Sequence, residues 1–392
     1  MTRKTLNIGL IGSGFMGQAH ADAFRRAALL YRDLPAVPAL HTLADASQEL
    51  ADAAAARFGF AKATSDWRAM VADPEIDIVD ITTPNAMHVE MAMAAIEAGK
   101  HVYCEKPLTV KLEDAKALAE AAEKRGVKTM VAFNNIKTPA ALLAKRLIER
   151  GDIGTPTRFR GWFDQGFFND PEMAWSWRCS RQQAGSGSLG DLGSHVISVA
   201  QFLMGSIESV SGQEQTFFKT RPAPGSGSGY GASIDASGAR LAVENEDQFQ
   251  SLVRFANGAG GTIESSRIAA GKIFGVYWEV SGTEGTIVMD GERFNELKIA
   301  RYGDEKHDRG FKTLLAGSQV EQFNGFFGFD FAGGGLGYFD VKVIEVHDLI
   351  QGIMGPGGCF PDFRFGFENQ KIIAAMERSA AEDRRIGLGD LA

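Results

Sequence analysis

Apolar positions follow two rhythms in the first third of the chain. Leu6–Ile11 is a short apolar run rich in β-formers, and Gln18–Leu29 carries apolar residues at helical spacing. The alternation continues. Leu40–Ala44 predicts a strand, Gln48–Arg57 a helix, Ile76–Ile81 a strand and Met87–Ala98 a helix ended by Gly99. His101–Cys104 predicts a strand, Leu112–Lys124 a helix ended by Gly126, and Val127–Phe133 a strand. Alternating β and α segments imply parallel strands joined by right-handed crossovers. Residues 1–135 are therefore expected to form a doubly wound, parallel α/β domain.

The rhythm changes over residues 136–392. Pro139–Arg150 reads as a helix closed by Gly151, residues 157–168 as a strand, and Leu189–Met204 as a helix after a Gly/Ser stretch. From Ser209 to Ala300 the pattern gives strands at Gln248–Phe255, Gly261–Ile268, Tyr277–Ser281 and Thr286–Asp290, and no good helix. This predicts an α+β domain with a large, mostly antiparallel, open-faced sheet. Residues 222–239 form a flexible insertion, either a mobile loop over a site or plain disorder. Residues 322–338 are rich in Phe and Gly. Val341–Ile353 and Phe367–Ser379 close the chain as helices, the last one free to pack back on the first domain. No helix is left to cover the outer face of the second sheet. An uncovered apolar face predicts a homo-oligomer, specifically a tetramer.

Composition narrows the class. The 392 residues are 44% hydrophobic and 23% charged, which argues against disorder. A net charge of −8 argues against nucleic acid as a partner. No run of about 18 apolar residues points to a membrane. Cys104, Cys179 and Cys359 are too few and too scattered for a disulfide framework or a zinc site, which suits a cytoplasmic location. The start, Thr2-Arg3-Lys4, and the later Ala19-His20-Ala21 faintly mimic a signal peptide and its cleavage site. Gly12, Ser13, Gly14 and Gly17 break the apolar stretch such a peptide needs. His20, His41, His101, His307 and His347 show no convergent acids or cysteines, so no metal is expected, and His20 is assigned to packing.

Gly12-Ser13-Gly14-Phe15-Met16-Gly17 is G-x-G-x-x-G after a strand and opening a helix. Gly12 permits a tight turn, Gly14 lets the backbone approach a pyrophosphate, and Gly17 lets helix and strand pack closely. The helix N-terminus offers N–H groups and a positive dipole end to phosphates. The second strand ends in Asp45, placed to accept from an adenosine ribose, though it also reads as a cap for the next helix. It lies 28 residues after Gly17, a spacing that fits the insertion Tyr31–Pro38. An acid there, followed by Ala46, Ser47 and Gln48 with no base, favours NAD over NADP.

Three further motifs join this loop. They are Thr82-Thr83-Pro84-Asn85-Ala86-Met87-His88, Glu105-Lys106-Pro107, and Gly190-Asp191-Leu192-Gly193-Ser194-His195. Together they resemble the Gfo/Idh/MocA family of sugar and inositol oxidoreductases, over almost the whole chain. The resemblance implies a Rossmann domain, an open-faced C-terminal sheet often used for oligomerisation, and a cis bond before Pro107. The insertion before Asp45 and the triplet Ser176-Trp177-Arg178 resemble the subgroup acting on inositols, L-glucose-type pyranoses or anhydrosugars such as levoglucosan. Two positions depart from the family pattern. Ser198 stands where an Asp often follows the His, and Lys137 stands where an Arg often follows the Asn-bearing strand.

The chemistry follows from these residues. Lys106 sits where parallel sheets bind ligands, and its ammonium can stabilise a developing alkoxide. Asp191 and His195 are four apart on an expected helix and share a face. His195 suits a base for an alcohol proton, with Asp191 orienting it or holding a neighbouring hydroxyl. Arg178 is a multidentate donor to a polyol, stacked near Trp175 or Trp177, or else a salt-bridge partner. Asn134 is expected near the nicotinamide or substrate. Thr83, Pro84, Asn85 and His88 line the cofactor, with Glu105, Phe15 and Met16 beside it, and His88 is more structural than catalytic. The expected activity is NAD-dependent oxidation of a ring hydroxyl of a cyclic polyol or pyranose. The alternatives are an anhydrosugar dehydrogenase, a nicotinamide-binding sensor without turnover, and an NAD-retaining lyase or glycosidase.

Overall fold

The computed structural model describes residues 3–225, 233–320, 323, 325–326 and 332–391. They fall into two compact units. Unit 1 is Met1–Lys137, Glu321–Asp330 and Leu336–Glu368; unit 2 is Thr138–Val320, Phe331–Gly335 and Asn369–Ala392.

In unit 1, β1 (Lys4–Ile11), α1 (Phe15–Leu30), β2 (Ala36–Ala44), α2 (Gln48–Phe58), β3 (Lys62–Thr64), α3 (Trp67–Ala72), β4 (Ile78–Ile81), α4 (His88–Glu97), β5 (His101–Cys104), α5 (Leu112–Arg125) and β6 (Thr129–Val131) follow in turn. The strands form one sheet in the order β3-β2-β1-β4-β5-β6, and every pairing is parallel. The order reverses beside β1, the place where such sheets bind ligands. Apolar side chains of β1, α1, β4, β5 and β6 bury together there, among them Ile8, Phe24, Ile78, Tyr103 and Met130.

The expected α/β domain is present, with three differences. β3 and α3 have no counterpart in the sequence pattern, because three and six residues are too short to set a period. The expected insertion Tyr31–Pro38 is shorter, because Ala36, Val37 and Pro38 belong to β2. β3 pairs only with Thr42–Ala44, so β2 is an edge at Pro38, where a missing N–H is tolerated. Ser47, not Asp45, caps α2, by accepting from Leu50 N at 3.2 Å.

In unit 2, α6 (Pro139–Arg150), β7 (Pro156–Asp164), α7 (Arg181–Ala184) and α8 (Ser194–Met204) precede the strand-rich stretch. That stretch holds β8 (Ile207–Gln215), β9 (Thr220–Pro222), β10 (Arg240–Ala242), β11 (Gln248–Phe255), β12 (Gly260–Ser266), β13 (Gly275–Gly282), β14 (Gly285–Asp290), β15 (Glu296–Arg301) and β16 (Lys312–Leu315). The chain closes with α9 (Tyr338–Met354), α10 (Phe363–Glu382) and β17 (Ile386–Gly387), and α9 lies in unit 1. Nine strands pair in the order β16-β15-β14-β13-β7-β12-β11-β8-β17, antiparallel except for β7 with β12.

Residues alternate across this sheet. Phe159 and Phe163 of β7 are buried, while Arg158 and Arg160, on either side of Phe159, are exposed. The outer face is not the apolar surface expected. It carries Arg158, Arg160, Glu264, Glu279 and Arg254, with a Trp162–Tyr277 ring stack at 3.9 Å. Residues 226–232 of the expected insertion, and most of 322–331, lie outside the described residues. The flanks of the insertion pair as β9 with β10. No helix among the described residues is long and apolar enough to cross a membrane.

Candidate active site

Unit 1 gathers its expected residues at the C-terminal ends of parallel strands. The Gly12–Gly17 loop follows β1, Asp45 follows β2, Thr83–His88 follows β4, Glu105–Pro107 follows β5 and Asn134 follows β6. Gly12 has φ +98°, open to glycine, and a Cβ on Gly17 would stand 2.1 Å from the Gly12 carbonyl oxygen. Around Gly14 a Cβ would meet nothing within 4 Å, so backbone there faces open space. The first turn of α1 carries no acid and no side-chain cap. Its N–H groups are therefore available to an anion.

Asp45 Oδ2 accepts from Ser13 N at 2.8 Å, and Oδ1 accepts from Ala46 N at 2.6 Å. Each oxygen keeps a lone pair for a ribose hydroxyl. Thr82 Oγ1 donates to the carbonyls of Ile11 at 3.0 Å and Gly12 at 2.8 Å, so the β4 loop holds the glycine turn. That role had no sequence signal beyond Thr82's place in its motif. Asn134 is buried, is hydrogen-bonded to Tyr338, and leaves its Oδ1 without a protein partner. These features fit a bound dinucleotide: a close backbone approach, an uncapped helix end, a fixed acid and an orphaned amide oxygen.

His88 is fully buried. Its Nδ1 lies 3.0 Å from the Pro107 carbonyl and its Nε2 2.9 Å from the Thr83 carbonyl, and burial lowers its pKa. It braces the β4 loop against the β5 turn rather than facing a ligand. The Lys106–Pro107 bond is cis, as the resemblance implied. Lys106 is half-buried beside the buried Glu105. Lys137 spends its charge on Asp348, with Nζ to Oδ2 at 2.5 Å, so it does not stand in for the family's Arg.

His20 corrects the reading from packing. Its Nδ1 is 2.9 and 3.1 Å from the two Asp80 oxygens, and its Nε2 is 3.1 Å from Glu105 Oε1. Burial alone would push its pKa down. Asp80 and Glu105 override this and hold it at about 9. The available signal was Asp80 itself, a carboxylate in the wholly buried strand β4. A buried charge requires a partner.

Unit 2 places Arg178, Asp191 and His195 on three short segments. Arg178 lies in the turn Trp177–Cys179, with its guanidinium 4.4 Å over the Trp177 ring. Asp191 belongs to a π-helical turn, Leu189–Gly193, which leads directly into α8. The expected helix is thus not regular; such turns recur at functional sites. Asp191 Oδ2 and Arg178 Nε are 3.8 Å apart, so the stacked guanidinium also lies within ion-pair distance of Asp191. His195 is the second residue of α8, with its ring 5.8 Å from Phe163. Ser198 Oγ donates to the His195 carbonyl at 2.7 Å, so it serves the backbone rather than the ring.

A bracket missed in the sequence supports these three. Asn245 Nδ2 donates to the carbonyls of Arg178 at 2.9 Å and Gly185 at 3.3 Å, and Arg267 Nη1 reaches the Arg178 carbonyl at 3.2 Å. The Glu246 carboxylate accepts from Gly187 N and Leu189 N, both at 2.8 Å, and burial raises its pKa. A Cβ on Gly187 would stand 2.0 Å from the Glu246 carbonyl oxygen, so only glycine fits. The signal was a run of polar residues, Glu244–Gln248, leading into the alternating strand β11.

Comparison with known proteins agrees with both units. The family model described as "Oxidoreductase family, NAD-binding Rossmann fold" matches residues 6–133, and the "GFO/IDH/MocA C-terminal domain" model matches residues 141–288. The chain is 41% identical to levoglucosan dehydrogenase of Pseudarthrobacter phenanthrenivorans, over 97% of each chain. It is 31% identical to scyllo-inositol 2-dehydrogenase (NAD(+)) of Bacillus subtilis, over 74% of this chain and 75% of that one. Among solved structures, an NAD binding oxidoreductase from Klebsiella pneumoniae matches with a TM-score of 0.92 at 62% identity, over 99% of each chain. Levoglucosan dehydrogenase in complex with NADH and levoglucosan matches with a TM-score of 0.92 at 40% identity, over 98% of this chain and all of that one. With its motifs, its two sheets and these matches, the chain belongs to the Gfo/Idh/MocA family of NAD-binding oxidoreductases.

Proposed function

We propose that this protein is an NAD-dependent dehydrogenase that oxidises one ring hydroxyl of a pyranose or cyclic polyol. In this reading the His195 imidazole accepts the hydroxyl proton. The Lys106 ammonium donates to the same oxygen and stabilises its growing negative charge. Bound NAD supplies the hydride acceptor at its nicotinamide C4. Asp191 and Arg178 present an acceptor and a planar set of donors to neighbouring hydroxyls, a pairing that suits a vicinal diol. Asp45 accepts from the ribose hydroxyls and repels a 2′-phosphate, which favours NAD.

The observation that carries the reading is the pairing of Arg178 with Asp191 one helical turn before His195, with the guanidinium stacked over Trp177. A second reading narrows the substrate to an anhydrosugar of the levoglucosan type. It is favoured because likeness to levoglucosan dehydrogenase runs over 97% of the chain, against 74% for the scyllo-inositol enzyme. The test is a panel of levoglucosan, scyllo- and myo-inositol and hexoses, with NAD and NADP, read by reduced-cofactor absorbance. Reduction with a ring polyol and NAD supports the proposal. NADH binding without turnover on any of them would return the protein to the sensor reading.

A cytoplasmic homotetramer completes the proposal. Support for association is the outer sheet face, where among the described residues the Arg158–Glu279 pair and the Trp162–Tyr277 stack offer contacts to a second copy. Light scattering at micromolar concentration that gives a monomeric mass would remove it.

A further inference from the structure

A cluster of buried charges in unit 1 is left unused by the chemistry above. Glu105 Oε1 receives Lys342 Nζ at 2.8 Å and His20 Nε2 at 3.1 Å, and Glu105 Oε2 receives the Lys106 backbone N–H at 3.0 Å. His20 is fixed in turn. Its other nitrogen lies against Asp80, and its ring stacks on Tyr103 with centroids 4.5 Å apart. Lys342 is fixed from its own helix by Glu345 at 3.0 Å, and Glu345 accepts from the Tyr103 hydroxyl at 2.7 Å. His20, Asp80, Glu105, Lys342 and Glu345 are all buried.

Such a cluster is a poor way to gain stability. Desolvation of the ions offsets their attraction, and well-packed apolar residues would serve as well or better. Its placement suggests another use. α1 and α9 send His20 and Lys342 onto the single residue that precedes Lys106, while Asp80 of β4 and Glu345 of α9 hold those two in place. Glu105 is buried and Lys106 half-buried, and the Glu105 carboxylate holds the backbone N–H from which the Lys106 side chain departs.

We propose that Lys342 and His20 are positioning residues. Together they clamp the Glu105 carboxylate, which holds the Lys106 N–H and so sets the direction of the Lys106 amine. Glu105, expected beside the cofactor, acts in this proposal through Lys106. The inference rests on the reading that Lys106 acts on the substrate oxygen.

The test uses full-length Lys342→Met, Lys342→Arg, Glu105→Gln and the double variant Lys342→Met/Glu105→Gln. Three quantities are read: kcat, NADH Kd by fluorescence, and the rate at which an acylating reagent labels the Lys106 amine, followed by mass spectrometry. Misplacement of a catalytic group by about 1 Å costs roughly 100-fold. Lys342→Met is expected to lower kcat by about 10–100-fold, to hold NADH Kd within about threefold, and to change Lys106 labelling several-fold. Lys342→Arg, which keeps the cation, restores most of the activity. The double variant loses no more than the worse single one, because both act through one clamp. A folded Lys342→Met with kcat and labelling within about twofold of wild type overturns the proposal, as do additive losses in the double variant. If Lys342→Met does not fold, His20→Gln and Glu105→Gln carry the same readouts. A wild type that turns over no sugar sinks the dehydrogenase reading alone, and the labelling rates then decide the clamp.

Discussion

The Asp45 carboxylate accepts the Ser13 backbone N–H at 2.8 Å, so the acid that ends β2 is tied to the glycine loop that follows β1. Loop geometry and, under the proposed function, cofactor choice therefore share one side chain. Asp45→Ala is expected to lower kcat/KM for NAD by about 10–100-fold, the loss of hydrogen bonds to a charged group. NADP should lose less, because the repelling charge goes too. Steady-state kinetics with both cofactors checks this. A higher kcat/KM for NADP in the wild type would mean that Asp45 does not meet the ribose.

His195→Ala is expected to reduce kcat by about 10²–10⁴-fold, the range for loss of a general base. NADH affinity should barely change, since the dinucleotide groups named above all belong to unit 1. Single-turnover rates and NADH fluorescence separate the two effects. Retention of more than about a tenth of wild-type kcat would place the proton acceptor elsewhere, with Lys106 next in line.

Asn245→Ala removes the amide that joins Arg178, Gly185 and Arg267. Buried partners left unpaired cost about 1–3 kcal/mol, so the unfolding midpoint in urea should fall. Because Arg178 loses the shorter of its two backbone anchors and keeps only Arg267, sugar KM should rise by roughly tenfold while NADH Kd stays put. An equal loss in cofactor binding would show that the bracket serves overall folding only.

The His20 imidazolium gives a pH signature to stability. Its folded pKa of about 9 lies above the unfolded value of about 6.5. Its contribution is therefore complete below about pH 6.5 and is lost as pH rises through 9. The expected loss is up to roughly 3 kcal/mol between those limits. Urea unfolding of wild type and His20→Gln across pH 6–10 should show the two curves converging at high pH. Parallel curves would mean that His20 is neutral in the folded protein.

The chain announced the Rossmann half openly. Alternating runs such as Leu6–Ile11 and Gln18–Leu29 set local periods, and the Gly12–Gly17 loop joins neighbours in sequence, so both can be read without knowing what they touch. The same holds for Glu105-Lys106-Pro107 and for the spacing of Asp191 and His195. What only tertiary structure decided was the use of charge. Asp80 sits in an apolar strand and His20 in the first helix, and their meeting depends on strand order. Lys342 reaches Glu105 across 237 residues, and Asn245 reaches Arg178 across 67. The outer face of the second sheet was misjudged for the same reason. Alternation says that one face is polar, but only the paired register sets Arg160 against Glu279 and Trp162 against Tyr277. Local periodicity is written by nearest neighbours along the chain, whereas a buried ion's partner is chosen by the fold that removes it from water.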